Sequence, residues 1–138
     1  MGIEVVVLGC ESGFSSKSDI PYQVRLYYLG KNGQTEIAAA EEKNQAGAVI
    51  LACRKMLEAI GVHLNGAVLL SHYLNIQRKS EVPSFRYDLQ WSFCEGNRRQ
   101  VKMSVGEDKD LPIAVLKATV DFFARFQGLD IRLDFIRD

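Results

Sequence analysis

The sequence predicts an α+β fold of duplicated β-β-β-α units, with a mainly antiparallel sheet covered by two helices and a short C-terminal strand. Three observations predict it: apolar residues alternate with period two in paired runs joined by turn residues, two long stretches show helical spacing, and the same order of elements occurs twice. At 138 residues, 47% hydrophobic and 25% charged, the chain has the makeup of a single domain with a sizeable core, expected over residues 1–138. The first repeat spans about 1–61, the second about 67–126, and the terminal strand 129–136.

Residues 3–8 are a β-branched run ending in Gly9, followed by a Ser-rich polar loop over 11–19 and Pro21. Tyr22, Val24, Leu26 and Tyr28 alternate with polar partners, Lys31-Asn32-Gly33 is a strong hairpin signal, and Thr35-Glu36-Ile37 restarts an extended strand. From Ala46 the apolar positions 46, 49, 53, 56 and 60 step at helical spacing until Gly61, with Asn44 as N-cap. The pattern then returns. Residues 67–76 read as a strand, 78–84 as a polar loop containing Pro83, and Tyr87, Leu89, Trp91 and Phe93 alternate toward a turn at Glu95-Gly96-Asn97. Val101, Met103 and Val105 alternate into Gly106, and Asp110 caps a helix over 111–126 that tolerates Pro112 in its first turn.

The duplication aligns Tyr22, Val24, Leu26 and Tyr28 with Tyr87, Leu89, Trp91 and Phe93 at an offset of 65. Past the turn the offset becomes 66, which places Asn44 on Asp110 and Ala48 on Ala114, one inserted turn residue accounting for the slip.

Seventeen Lys and Arg balance seventeen Asp and Glu, so no overall basic field gathers nucleic acid or anionic lipid. A β-β-β-α order echoes double-stranded RNA-binding domains, but Glu41, Glu42, Glu107, Asp108 and Asp110 stand where phosphate-gripping cations are needed. Arg98-Arg99 and Arg78-Lys79 are basic pairs, and Tyr27, Trp91 and Phe93 can stack bases only if exposed, so nucleic acid is disfavoured as a partner. Cys10, Cys53 and Cys94 form no CxxC pair, which points to reduced thiols and a cytoplasmic home. Neither a lipoprotein box nor a myristoylation start is complete at the N-terminus, and the longest apolar run, 46–53, is far below the ~18 residues of a membrane span.

No catalytic or metal-binding constellation is legible. His63 and His72 have no Cys, His or Asp cluster at ligand spacing and read as structural residues. Cys53 and Cys94 read as small buried hydrophobes without an activating base. The acidic clusters Glu41-Glu42 and Asp108-Lys109-Asp110 read as solvated loops. A non-catalytic module is expected, with no cofactor and no metal.

The second helix carries charge only at Lys117, Asp121 and Arg125, one narrow stripe with i,i+4 pairing. Its apolar surface extends well beyond the ~100° that a helix resting on one sheet requires. Two readings of the surplus stand: the helices pack on each other over one sheet, or Leu116, Val120, Phe122 and Phe123 form the interface of a two-fold homodimer.

The stretch 103–121, MSVGEDKDLPIAVLKATVD, resembles the second half of the C-terminal leucine-binding regulatory domain of 2-isopropylmalate synthases, where a strand enters a Val-Gly turn, a polar helix start and an Ala-containing helix. Asn32-Gly33, Ala38-Ala39-Ala40, residues 45–52 and Leu69-Leu70-Ser71-His72-Tyr73 are similar to the first half, so the resemblance runs from about Tyr22 to Phe126. It implies a duplicated, dimerising domain that binds a small hydrophobic amino acid as an allosteric signal and has no catalysis of its own. The chain departs from the family at residues 42–45, where the family has a Gly-rich, Pro-containing turn, at Gly47 in place of an acid, and at His72 in place of Asp. The family's catalytic barrel has no counterpart in these residues.

A helix N-terminus offers free N–H groups to a carboxylate. The ligand residues expected at the helix starts are Asn44, Gln45, Ala46 and Ala48 at one and Asp110 and Ala114 at the other, where Asp110 would repel an anion and so favours the first, and the resemblance adds His72 with Tyr73. The ligand expected for such a module is a small hydrophobic amino acid or small acid; a ligand-free protein-interaction or assembly role, with a protein partner, is the alternative.

Overall fold

The computed structural model describes residues 4–14, 19, 21–78 and 81–136. The chain divides into two compact units, residues 1–63 with 128–138, and residues 64–127. Ile3 of the first predicted strand, residues 15–18 and 20 of the Ser-rich segment, and Lys79 of the second basic pair lie outside the described residues.

In the first unit β1 (Glu4–Phe14), β2 (Tyr22–Leu29) and β3 (Thr35–Glu42) form an antiparallel meander, α1 (Gln45–Ala59) rests on β2 and β3, and β7 (Asp130–Leu133) pairs in parallel with the start of β1. In the second unit β4 (Val68–Gln77), β5 (Ser84–Glu95) and β6 (Arg98–Asp108) form a second meander, on which α2 (Leu111–Gln127) covers β5 and β6. The α+β class and element order are those the sequence predicts. The strands form two sheets rather than one, with orders β3-β2-β1-β7 (sheet A) and β4-β5-β6 (sheet B), because each helix buries its apolar stripe on the hairpin of its own repeat.

Sheet pairing establishes the duplication at the level of register. Leu26 pairs with Ala38 and Val24 with Ala40; in the second unit Leu89 pairs with Ser104 and Tyr87 with Gly106. The first strands match as well, bulge included: Val7 faces Tyr28 and Gly9 faces Tyr27 across the extra residue Leu8, while Leu69 faces Trp91 and Ser71 faces Gln90 across Leu70. Tyr28 is therefore equivalent to Trp91, an offset of 63, and the predicted alignment at 65 is corrected by two residues. Ala38 and Ala40 map to Ser104 and Gly106 at 66, so the second hairpin is three residues longer, not one. Its arms run on to a two-residue loop at Gly96-Asn97, where Gly96 takes φ 63°.

β1 continues through Gly9 to Phe14, well past the predicted end at residue 8. Gly9 keeps an extended pairing opposite Tyr27, whose side chain lies 3.6 Å from where a Cβ would stand. β7 ends at Leu133 because residues 134–135 turn, earlier than the predicted 136.

The core of the second unit is aromatic. Trp91 is fully buried, stacks on Phe122 at 4.4 Å, meets Phe123 edge-on at 5.8 Å, and donates its indole N–H to the buried Ser104 Oγ at 3.0 Å. In the first unit Val24, Leu26 and Tyr28 of β2 and Ala46, Val49, Cys53, Met56 and Leu57 of α1 are buried where the helix packs on the strand. Trp91 and Phe93 are thus unable to stack bases, and Cys94, expected to be buried, is exposed on the extended hairpin with its Sγ accepting from Arg99 Nη1 at 3.0 Å. No described helix is long and apolar enough to cross a membrane.

Candidate functional site

The residues implied as a ligand site are divided between the two units. Asn44 sits in extended backbone at φ −117°, ψ 132°, its Oδ1 accepts from Gly47 N at 3.1 Å, and its carbonyl accepts from Ala48 N at 3.0 Å. Gln45 Nε2 donates to Ser12 Oγ at 2.9 Å, while Ala46 and Ala48 point into the core. At the second helix start Asp110 Oδ1 accepts from Ile113 N at 3.2 Å and Ala114 is buried. Both helix starts are thus capped by their own side chains. His72 and Tyr73 are exposed on β4, with β5 between that strand and β6, the strand that leads into Asp110.

The predicted dimer residues are corrected. Leu116, Phe122 and Phe123 have no exposed surface and Val120 is half-buried; Trp91 packs on Phe122 and Phe123, and Phe93 on Phe122, within the unit that holds α2.

The charged stripe of α2 has a structural task. Lys117 Nζ donates to Glu107 O at 3.4 Å, Asp121 Oδ2 accepts from Val105 N at 3.0 Å, and Arg125 Nη2 donates to Met103 O at 3.1 Å. Four residues of helix advance about 6 Å and two residues of strand about 6.7 Å, so every fourth side chain of α2 meets every second residue of β6. The stripe therefore occupies backbone groups along the outer edge of sheet B. Asp121 also holds Arg125 through two contacts of 2.9 and 2.7 Å.

Near Asp110, the Asp108 carboxyl takes a 2.9 Å ion pair from Lys117 Nζ and accepts from Asp110 N at 2.9 Å. Partial burial alone would raise its pKa, but the Asp110 amide, the Lys117 ammonium and the Lys109 amide outweigh that and hold it below the usual carboxylate value.

In the first unit a cleft of about 400 Å³ is lined by Gln23, Val24, Arg25, Ala39, Ala40, Glu41 and Lys55. Lys55 Nζ donates to Ala39 O at 3.2 Å, and Gln23 Nε2 donates to Glu41 Oε1. Beside it Glu11 pairs across the strands with Arg25, and the hydrogen bond from the Tyr27 hydroxyl to Glu11 raises the phenol pKa. Two cations, a carboxylate and an amide converge there on a surface open to water.

The second unit presents a different surface. Val101, Met103 and Val105 line the outer face of β6, Val68 and Tyr73 lie on the same outer face of β4, and Leu70 and Ile76 are exposed on β4 as well. Tyr73 is 66% and Leu70 52% exposed. The sequence reading missed this surface, although β4 carries a signal for it: VLLSHYLNIQ contains no Asp, Glu, Lys or Arg.

Among the described residues, no group of three or more His, Cys, Asp and Glu side chains is placed to hold a metal ion. No protein-family model matches the chain, and no curated protein matches it.

Proposed function

We propose that this chain is a non-catalytic regulatory module that acts by assembling with a second copy of itself, through sheet B rather than through helix flanks. The observation that supports this reading is the exposed apolar side chains on both margin strands of sheet B, Val68, Leu70, Tyr73 and Ile76 on β4 and Val101, Met103 and Val105 on β6. Large apolar side chains exposed as a group along a strand, rather than scattered singly, mark a place where another molecule docks. The duplicated architecture and the resemblance to a dimerising regulatory domain agree with it. Because a dimer that forms only between folded chains is stabilised by mass action, its melting temperature rises with protein concentration. Thermal melts over a roughly hundredfold concentration range test the reading: a rising melting temperature is expected, and a constant one contradicts it.

A second reading, that the module also senses a small zwitterion or acid, is favoured by the cleft of the first unit. Arg25 and Lys55 would face a carboxylate there, and Glu41 an ammonium. Branched-chain amino acids and small acids in a thermal-shift screen should raise the melting temperature of the native chain but not of Arg25→Ala. No shift with any of them leaves the ligand-free assembly role.

A further inference from the structure

We infer that the outer edge of β4 is a self-pairing edge, on which β4 of a second copy docks antiparallel to join two copies of sheet B into one continuous sheet. This rests on the assembly reading and specifies its geometry.

The four sheet margins differ in how they are protected. An open strand edge recruits other strands unless it is short, charged, interrupted by proline or covered. β7 is four residues long. β3 carries Glu36, Glu41 and Glu42, and its Ala39 carbonyl is taken by Lys55. β6 has Lys117, Asp121 and Arg125 of α2 along it. β4 has none of these protections, and its bulge at Leu70 leaves residues 71–77 in regular register with β5. It is ten residues long, holds no proline, and among the described residues is bonded to β5 alone. The repeat sharpens the contrast, because β1, the counterpart of β4, has β7 paired along Glu4–Val7 on its outer side.

The occupant follows from charge. Antiparallel pairing about a two-fold axis sets the side chains near the axis beside their own copies, so a Lys, Arg, Asp or Glu in the middle of the strand brings like charges together. Of the seven strands described, β4 alone contains none of the four. A partner of strong charge gains nothing from such an edge, and an identical uncharged strand meets no repulsion.

Side-chain parity agrees. His72, Leu74 and Ile76 lie opposite Leu89, Tyr87 and Phe85, on the face where α2 rests, but α2 covers β5 and β6. A two-fold perpendicular to the sheet keeps equivalent faces together. Leu74 and Ile76 of both copies then form one apolar strip between the two α2 helices, and the Tyr73 side chains of both copies share the opposite face near the axis.

Sedimentation equilibrium on the full chain and three variants tests the inference: Tyr73→Lys, Tyr73→Glu and Met103→Lys. Tyr73 and Met103 are both exposed, so each variant should keep the buried-indole emission of Trp91 as proof of folding. The wild type is expected to be dimeric, each Tyr73 variant to dissociate on the order of tenfold more readily, and their equimolar mixture to regain affinity through a Lys–Glu pair. Met103→Lys should leave the dimer intact. A dimer disrupted by Met103→Lys and indifferent to Tyr73→Lys overturns edge pairing while the assembly reading stands, with the outer face of sheet B as the contact. A wild type that remains monomeric overturns the assembly reading itself.

Discussion

Gly106 of β6 lies directly beneath Ala118 of α2: a Cβ on Gly106 would stand 2.2 Å from the Ala118 amide nitrogen and 2.3 Å from the Ala114 carbonyl oxygen. Both obstructions are helix backbone, which cannot rotate aside as a flexible side chain would. The equivalent position in the first unit is Ala40, so α1 must stand further from its sheet than α2 does. Gly106→Ala should therefore lift α2 from the sheet and destabilise the fold by about 3 kcal/mol, at the upper end of overpacking effects. Urea unfolding followed by the fluorescence of Trp91, the single tryptophan, measures it. A change within experimental error would contradict this packing.

The α2 stripe gives a second prediction. Asp121→Ala removes the acceptor for Val105 N and releases Arg125 from its two contacts, at an expected cost of about 1–2 kcal/mol. Asp121→Asn keeps an acceptor oxygen and should lose less. If the stripe were only a solvated ion-pair row, both substitutions would change the denaturation midpoint by a few tenths of a kcal/mol at most.

Asp108 predicts an acid dependence with a definite sign. Its pKa is depressed in the folded chain, so its contribution is complete above the usual value of 3.8 and is lost as pH falls through the lower, folded value. Stability should decline on acidification from about pH 4, and Asp108→Asn should flatten that limb while lowering stability at neutral pH. Chemical denaturation at a series of pH values checks it, and parallel profiles for the two proteins would rule it out.

The thiols should separate by reactivity. Burial, reinforced by Cys10 nearby, pushes the Cys53 thiol up to about 12, whereas Cys94 is exposed and Cys10 half-buried. A thiol-specific reagent at pH 8 should modify Cys94 first, Cys10 more slowly, and Cys53 only on unfolding. Since unfolding lets Cys53 ionise near 9, stability should also fall between pH 9 and about 12. Rapid modification of Cys53 in the native chain would show that the site opens locally.

Much of the architecture is legible in the alternation of Tyr22 to Tyr28 and of Tyr87 to Phe93, and in caps such as Asn44 and Asp110, because period and capping are local properties of the chain. The repeat offset is less so. A strand slipped by two residues keeps every side chain on the same face, so apolar alternation cannot distinguish 63 from 65, and the bulge that sets Tyr28 opposite Val7 and Trp91 opposite Leu69 decides it. Phe122 and Phe123 read as surplus surface because a helix viewed alone does not reveal that Trp91 and Phe93 pack on it. The cleft at Arg25 and Lys55 joins a strand to a helix 30 residues away, a proximity that no motif encodes.

Hydrogen–deuterium exchange of the β4 amides, residues 68–77, at rising protein concentration tests the self-pairing edge most directly. Exchange in this strand should slow as concentration increases, while the β6 amides, already held by α2, stay constant. Exchange in β4 that is independent of concentration across the range where the solution mass doubles from 15.5 kDa would contradict it.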